Sequence, residues 1–392
     1  MNTIEFESVF ITWTHYLLAL TMKKGFQFQD ILFLPLSLLY GIIMWFRNRL
    51  FDYHFLLKSK EFNLPVISVG NINVGGTGKT PHIEYLVRLL MDEFKIATLS
   101  RGYKRKTRGF VLGKNNSSSD EIGDEPKQIK LKFPKITVAV DANRVKGINR
   151  LLQLEKDLNV ILLDDAFQHR YVTPSLSVLL VDYEHPLQED ALLPYGRLRE
   201  QPFERRRADI IIVTKCPLDL KPIDKRLLEK YLKTHAYQKV FFTTLNYKDP
   251  IPVFSDYAKP LNIDEIKSNK PIVFLLTGIA NSKPLKKYLS DITSQIKDLN
   301  YPDHHSYSVR DLKSLIEIFS AETNEDKLIL TTEKDAMRLQ QFPNLDEEIK
   351  AAMYYIPIQV EFYENEGKDF NHYITSHVRN NKPDNILHQS KD

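Results

Sequence analysis

One cysteine, Cys216, in 392 residues excludes an intrachain disulfide and fits a reducing compartment. Neither a repeat period nor a long low-complexity block organises the chain. Neither sign of charge prevails. Lys+Arg total 54 and Asp+Glu 50, a net charge of +4 that gives no argument for nucleic acid. A basic start is also lacking: Met1–Thr21 carries Glu5 and Glu7 ahead of its apolar stretch and so reads as a poor secretory signal. Met22, followed by Lys23 and Lys24, reads as an alternative natural start, with residues 1–25 expected to be a non-native or disordered extension. From Ile31 to Phe46 no residue is charged, but sixteen residues of helix span roughly 24 Å, short of the roughly 30 Å hydrocarbon core. Pro35 and Gly41 interrupt the run, and Tyr40, Trp45 and Phe46 stand beside Arg47 and Arg49. That mix suits a helix lying on or partly in a bilayer, and residues 26–50 are so assigned. A buried helix of the first domain is the competing reading.

What is present is glycine in one place. Four of the fourteen glycines fall between Gly70 and Gly78, in Gly70-Asn-Ile-Asn-Val-Gly-Gly-Thr-Gly-Lys-Thr-Pro81. The apolar run Leu64–Val69 precedes it, and Ile83, Leu86, Val87, Leu90, Met91 and Phe94 follow at helical spacing. Strand, glycine loop, Gly-Lys-Thr and helix is the layout of a phosphate-binding loop. Asn73, Val74, Gly75, Gly76, Thr77, Gly78, Lys79 and Thr80 are the candidate contacts. Backbone N–H groups and the helix N-terminus favour polyphosphate, Lys79 reaches the β- and γ-phosphates, and the Thr80 hydroxyl ligates Mg²⁺. Asn73 stands where the motif wants glycine; asparagine tolerates left-handed backbone angles, so the turn is expected to survive. A glycine-rich turn that binds nothing is the bland alternative.

Downstream, the β-like runs Ile96–Leu99, Thr137–Val140, Val160–Leu163, Ser177–Val181 and Asp209–Val213 alternate with helical stretches, which predicts a mostly parallel sheet covered on both faces. Lys114–Asp124 reads as a flexible loop. Later runs, Ile272–Thr277, Leu328–Thr332 and Tyr354–Val360, predict a smaller α/β unit. The fold class expected is α/β, with two α/β/α domains, the first a P-loop NTPase domain over 51–239. A two-stranded connector (240–256, from Val240–Thr244 and Pro252–Phe254), a C-terminal domain (257–375) and a mobile tail (376–392) complete the division.

Val160-Ile-Leu-Leu-Asp-Asp165 is an apolar strand that ends in two carboxylates, and Asp164 or Asp165 is placed to join the Mg²⁺ shell. A helix N-cap is the structural alternative. Gly123-Asp124-Glu125-Pro126 and Tyr301-Pro-Asp-His-His305 are each weak alone. Thr214-Lys215-Cys216-Pro217 lacks the Asn and Asp of a guanine site, and Val74 stands where ParA-like ATPases place a second lysine.

Together these blocks resemble the tetraacyldisaccharide 4'-kinase family, the lipid A 4'-kinases of Gram-negative bacteria, from about Ile31 to about Phe362. The resemblance rests on Leu34–Gly41, Val69-Gly-Asn, Val74–Pro81, Ser100–Tyr103, Gly123–Pro126, Leu163-Asp-Asp165 with Phe167-Gln-His169, Leu192-Leu-Pro194, Gly196, Leu198-Arg-Glu200, Pro302-Asp-His304 and Thr331–Asp335, in order. Ala166 departs from the glycine of many relatives. The resemblance implies transfer of the γ-phosphoryl of ATP to the 4'-hydroxyl of a membrane-bound lipid A disaccharide 1-phosphate, at the cytoplasmic face of the inner membrane. It implies a catalytic pair at Asp124 and His304 from different domains, and active-site positions at Arg144, Gln168, Arg199 and Glu200. The basic run Arg197–Arg207 is expected to meet the 1-phosphate or anionic headgroups. No protein partner is implied. A membrane-associated nucleotide-switch ATPase and a soluble sugar or nucleoside kinase are the alternatives.

Overall fold

The computed structural model describes residues 28–53, 56–303 and 305–381. Eight strands come first: β1 (Val66–Asn71), β2 (Ile96–Ser100), β3 (Val111–Gly113), β4 (Thr137–Val140), β5 (Val160–Asp164), β6 (Leu176–Asp182), β7 (Ile210–Thr214) and β8 (Lys239–Tyr247). The chain then builds a second sheet from β9 (Ile251–Pro252), β10 (Ile272–Thr277), β11 (Ile296–Asn300), β12 (Lys327–Thr332) and β13 (Met353–Ile356), in the order β11-β10-β12-β13-β9. It returns through β14 (Ile358–Phe362) to the first sheet, whose order is β14-β8-β7-β6-β1-β5-β2-β4-β3. The larger sheet is parallel except at its two ends, where β3 and β14 run antiparallel to their neighbours. Every residue of β1, β5, β6 and β7 is buried, as near-continuous apolar strands between two helical layers must be.

The expected connector takes a different form. Val240–Thr244 lies inside β8, and Pro252 lies in β9, but the two strands do not pair with each other. β8 pairs with β14 and β9 with β13, and Lys248 N–H donates to the carbonyl of Pro357 at 2.9 Å between them. The link is thus an antiparallel ribbon whose second strand arrives about a hundred residues later. The predicted run Tyr354–Val360 is correspondingly divided between the two sheets.

The C-terminal boundary moves too. A helix spans Glu366–Asn380, so the tail expected from Ser376 is helical over its first five residues. Phe370, Ile374 and Val378, one turn apart, are buried in the same core as Ile83, Val87 and Leu90 of the Lys79–Leu90 helix. This last helix therefore belongs to the first sheet's unit rather than to 257–375. The Lys114–Asp124 loop likewise contains a helical turn, Ser119–Ile122, closed by a capping box between Ser118 and Glu121.

The Phe28–Asp52 helix docks along one face. The Ser37 hydroxyl donates to the Leu192 carbonyl (2.8 Å) and accepts from Tyr195 N–H (2.9 Å), and the Tyr40 hydroxyl donates to the Arg199 carbonyl (2.8 Å). Gly41, Asn48 and Phe51 continue that buried face. The opposite face exposes Leu32, Leu36, Leu39, Ile42, Ile43 and Phe46. Among the described residues no helix is long and apolar enough to cross a membrane. The expected extension, residues 1–25, lies outside the described residues.

Candidate active site

β1 sits between β5 and β6, and the register aligns Val69 with Asp164, so the loop after β1 and the carboxylates after β5 leave the sheet at the same edge. Ligands of open α/β sheets bind at that carboxyl edge. The loop is pinned from outside. Val74 N–H donates to the Arg197 carbonyl (2.7 Å), Arg199 N–H to the Ile72 carbonyl (2.7 Å), Gln168 Nε2 to the Asn71 carbonyl (2.8 Å) and the Thr214 hydroxyl to the Thr77 carbonyl (3.0 Å). Gly75 has φ +125° and Gly76 has open space where a Cβ would stand, which leaves the cradle clear. Gly78, at φ +87°, caps the helix that starts at Lys79.

Asn73 does not use the left-handed angle anticipated for it: it is absent from the positive-φ residues and instead bridges to Leu198 as a short extended segment. That bridge and the bond from Arg199 N–H to the Ile72 carbonyl hold the chain where a glycine turn was expected. Below the loop, burial drives His82 down to about 4, so it is neutral at pH 7. Its Nδ1 lies 2.8 Å from the Gly78 carbonyl and its Nε2 3.2 Å from the Thr243 hydroxyl, a bridge from loop to β8.

The two aspartates are placed differently. Asp165, at φ +47°, carries its carboxylate to Lys79 Nζ (3.6 Å) and to Arg199 Nη1 (3.0 and 3.2 Å). Burial pushes it up, but Lys79 and Arg199 prevail and hold it below the usual range. Lys79 also donates to Asn71 Oδ1 (3.2 Å), and Asn71 Nδ2 to the Thr77 hydroxyl (2.9 Å). Asp164 is buried, and its Oδ1 has no hydrogen-bond partner among the described residues. Burial, reinforced by the charges of Glu125 and Asp165, lifts it to about 7. An oxygen left without a donor at the carboxyl end of β5 suits a hard cation more than a structural cap. Among the described residues no three His, Cys, Asp or Glu side chains converge on one metal position.

Gln168 and Arg199 line this edge together, with Arg199 Nη1 donating to Gln168 Oε1 at 3.3 Å. Arg144 and Glu200 lie beneath it. Arg144 is buried, donates to the carbonyls of Asp141 and Asp164 (3.1 Å each), and burial lowers it to about 10. Glu200 is fully buried, paired with Arg207 and close to Asn48 (3.4 Å) and Arg47 (3.8 Å) under the first helix.

The second sheet closes the far wall. Gly123, at φ +94° and 3.1 Å from the Tyr103 carbonyl for any added Cβ, starts the Asp124–Lys132 helix, which packs against the Glu333–Leu339 helix of the second unit. Asp124 accepts from Arg338 Nε (2.9 Å) and Nη2 (2.7 Å), while Arg338 Nη1 reaches Asp335 (2.8 Å) and the Gly278 carbonyl (3.2 Å). Glu125 pairs with Lys334; burial raises its carboxyl, but Lys334 and Lys79 overcome that and hold it low. Lys127 Nζ donates to the Met337 carbonyl (2.8 Å). Gln128 Nε2 joins Glu84 (2.7 Å) to Glu333 (3.1 Å), and Lys132 contacts both carboxylates. His304 lies outside the described residues. Its described neighbour Asp303 follows β11, and the charge of Asp303 acts on Lys334.

Sequence reasoning missed Glu125, Lys334 and Arg338 at this wall. Glu125 lies within Gly123–Pro126 and Lys334 within Thr331–Asp335, and Arg338 falls one turn beyond Asp335, so spacing alone carries a faint signal.

The sequence profile of the family described as Tetraacyldisaccharide-1-P 4'-kinase matches residues 29–379. The chain belongs to this kinase family. A tetraacyldisaccharide 4'-kinase of Bacteroides thetaiotaomicron is 47% identical over 355 residues, 88% of this chain and 93% of that protein. One from Flavobacterium johnsoniae is 44% identical, covering 90% and 98%. The crystal structure of the Aquifex aeolicus LpxK protein in complex with ATP superposes with a TM-score of 0.67 at 29% identity, over 87% of this chain and 97% of that one. Across this kinase family's span fall the glycine loop, the Asp164–Asp165 edge and the Asp124–Arg338 wall.

Proposed function

We propose that this chain transfers the γ-phosphoryl group of ATP to the 4'-hydroxyl of lipid A disaccharide 1-phosphate, giving the 4'-phosphorylated lipid A precursor of lipopolysaccharide biosynthesis. The observation that carries the reading is the approach of two walls in a member of this family, where the charges of Lys79 and Asp165 act on Glu125, the neighbour of Asp124. Lys79 and Asp165 stand on the nucleotide side, and Asp124, braced by Arg338, stands on the other.

In the resting arrangement Asp165 holds the Lys79 ammonium at 3.6 Å beside the cradle. With ATP bound, Lys79 turns to the β- and γ-phosphates, and the N–H groups from Gly75 to Lys79 take the remaining oxygens. Thr80 and Asp164, with Asp165 behind them, are the residues that would hold Mg²⁺. The ion, when bound, neutralises the phosphate charge that grows during transfer. Arg199 and Gln168 meet the acceptor at the edge of the loop. Arg144 and Glu200 hold that edge from below, through the Asp164 carbonyl and the first helix.

Asp124 takes the proton of the attacking 4'-hydroxyl, with His304 as its partner from the second unit. General-base assistance of this kind is worth typically about 10²–10⁴ in rate. The exposed apolar face of the Phe28–Asp52 helix supports contact with the membrane that holds the acceptor, and hence a peripheral place at the cytoplasmic face of the inner membrane. The test is transfer of label from γ-labelled ATP to detergent-dispersed lipid A disaccharide 1-phosphate with Mg²⁺. Labelled lipid is the result expected; partner-stimulated hydrolysis with no labelled lipid would instead favour the nucleotide switch.

A further inference from the structure

The basic run Arg197–Arg207 does not act as one surface. Arg197 is paired with Asp190, Arg199 with Asp165, and Arg207 with Glu200 and Glu204. Arg205 donates to the carbonyls of Pro202, Leu232 and Lys233. Arg206 is different. It turns to the end of the first helix, where it opens with Arg49 and Arg170 into a surface cavity of about 420 Å³. All three guanidinium groups converge on Asp52, at 2.8 Å from Arg206, 2.7 Å from Arg170 and 3.8 Å from Arg49. Three positive charges against one negative leave a surplus of two. Arg206 Nε is buried with no hydrogen-bond partner among the described residues. Phe203 under Arg206, Phe51 under Arg170 and Trp45 under Arg49 hold the planes in place.

The helix says where this cavity faces. Its exposed stripe runs through Leu39, Ile42 and Phe46, and the next positions on the same stripe are Arg49 and Tyr53, both cavity-lining. Where the apolar stripe lies among acyl chains, the cavity lies at the level of the headgroups. A chain of contacts also leads inward: Arg170 donates to the Asn48 carbonyl (2.8 Å), Arg47 to the Gln168 carbonyl (2.7 Å), and Gln168 to the nucleotide loop.

We propose that Arg49, Arg170 and Arg206 form a binding site for a lipid-borne phosphate, with Asp52 fixing the forks until the phosphate arrives. Planar guanidinium forks suit phosphate oxygens in pairs. The chemistry is shared by two sources, the 1-phosphate of the acceptor and the phosphate of an anionic bilayer lipid. The acceptor source rests on the kinase reading above; the bilayer source does not.

The variants are Arg206→Gln and Arg49→Gln, with Arg206→Lys as the charge-retaining control and thermal unfolding as the check on folding. Transfer is measured with acceptor carrying the 1-phosphate and with acceptor lacking it. Vesicle binding is measured on phosphatidylglycerol–phosphatidylcholine and on phosphatidylcholine alone. If the acceptor is the source, the Gln variants raise KM about tenfold more for the 1-phosphorylated acceptor than for the other, and Arg206→Lys recovers part of it. If the bilayer is the source, the KM ratio stays put and the preference for phosphatidylglycerol vesicles is lost. Variants that move neither ratio overturn the proposal. Should the wild-type protein transfer no label to lipid, the kinase reading fails, and the vesicle comparison still decides the cavity.

Discussion

Arg338 grips Asp124 with Nε and Nη2, at 2.9 and 2.7 Å, across the boundary between the two sheets. The grip is itself anchored, because the third nitrogen is tied to Asp335 and to the Gly278 carbonyl. Loss of Arg338 therefore does two things: it removes a two-nitrogen clamp from Asp124 and leaves the fully buried Asp335 short of a partner. Arg338→Met is expected to lower kcat by about 10- to 100-fold, the scale of a lost charge-assisted pair, with nucleotide affinity nearly unchanged. Asp124→Asn is expected to lose most turnover while still binding ATP. Steady-state transfer alongside equilibrium nucleotide binding checks both, and wild-type turnover in Asp124→Asn removes it as the base.

Lys79 stands 3.6 Å from Asp165 and 3.2 Å from Asn71, so its ammonium is already held at the edge of the cradle. Lys79→Ala is expected to cripple transfer by at least about a hundredfold, since one lysine neutralises phosphate charge in transit. Asp165, still paired with Arg199, should keep the fold intact, so the thermal midpoint should move little. Unchanged transfer in this variant refutes the loop assignment.

The wall has a pH signature. Burial and the neighbouring Glu84 lift Glu333 from its ordinary 4.5 to about 7. A raised carboxyl means the folded state keeps a proton that the unfolded chain has lost. Stability therefore falls as pH rises from about 4.5 to about 7, and the loss is complete above that. Glu333→Gln retains an acceptor for Gln128 and removes the charge. Its thermal midpoint is expected to exceed that of the wild type at pH 8, by an amount worth on the order of 1–3 kcal/mol, and to match it near pH 5. A difference independent of pH between those values counts against this account.

Ile43 and Phe46 are 56% and 58% exposed on the first helix, so replacing both by Glu removes apolar surface from solvent contact rather than from the core. Flotation with liposomes is expected to drop by roughly tenfold or more for the pair, since each side chain contributes about 1–3 kcal/mol when buried, while the thermal midpoint in detergent stays within about 2 °C. Undiminished flotation would falsify the helix as the anchor.

Much of the first unit was legible because its signals are local. The strands of the larger sheet are uninterrupted apolar runs, and the loop announces itself by four glycines within nine residues. The boundaries of Thr137–Val140 and Ile272–Thr277 match the sequence reading to the residue. What failed was non-local. Nothing in Val240–Thr244 tells which strand will lie beside it, and its antiparallel partner is Ile358–Phe362. Ile296–Asn300, an edge strand with exposed Lys297 and Asp298, lacks the apolar signal by which strands are found. Asn73 was read as a substitute glycine because only local backbone preference was available, while its extended geometry comes from Leu198 across the gap. At the site, the aspartate pair was visible as a motif. That one member is engaged by cations and the other left without a donor depends on Arg199, Lys79 and Glu125, and these come from three other segments.

The return of β14 to the larger sheet has a consequence for biosynthesis. β8 has nine residues and keeps one edge open until β14, about a hundred residues further on, has left the ribosome. An exposed strand edge of that length invites pairing with another chain. The first unit cannot complete its sheet in order of synthesis, because the whole second unit must be made before the closing strand arrives. A stop codon just before Ile358 would spare every residue of the glycine loop and still leave the nascent protein prone to aggregate. Premature termination just ahead of β14 should thus be as damaging as a lesion in the nucleotide loop.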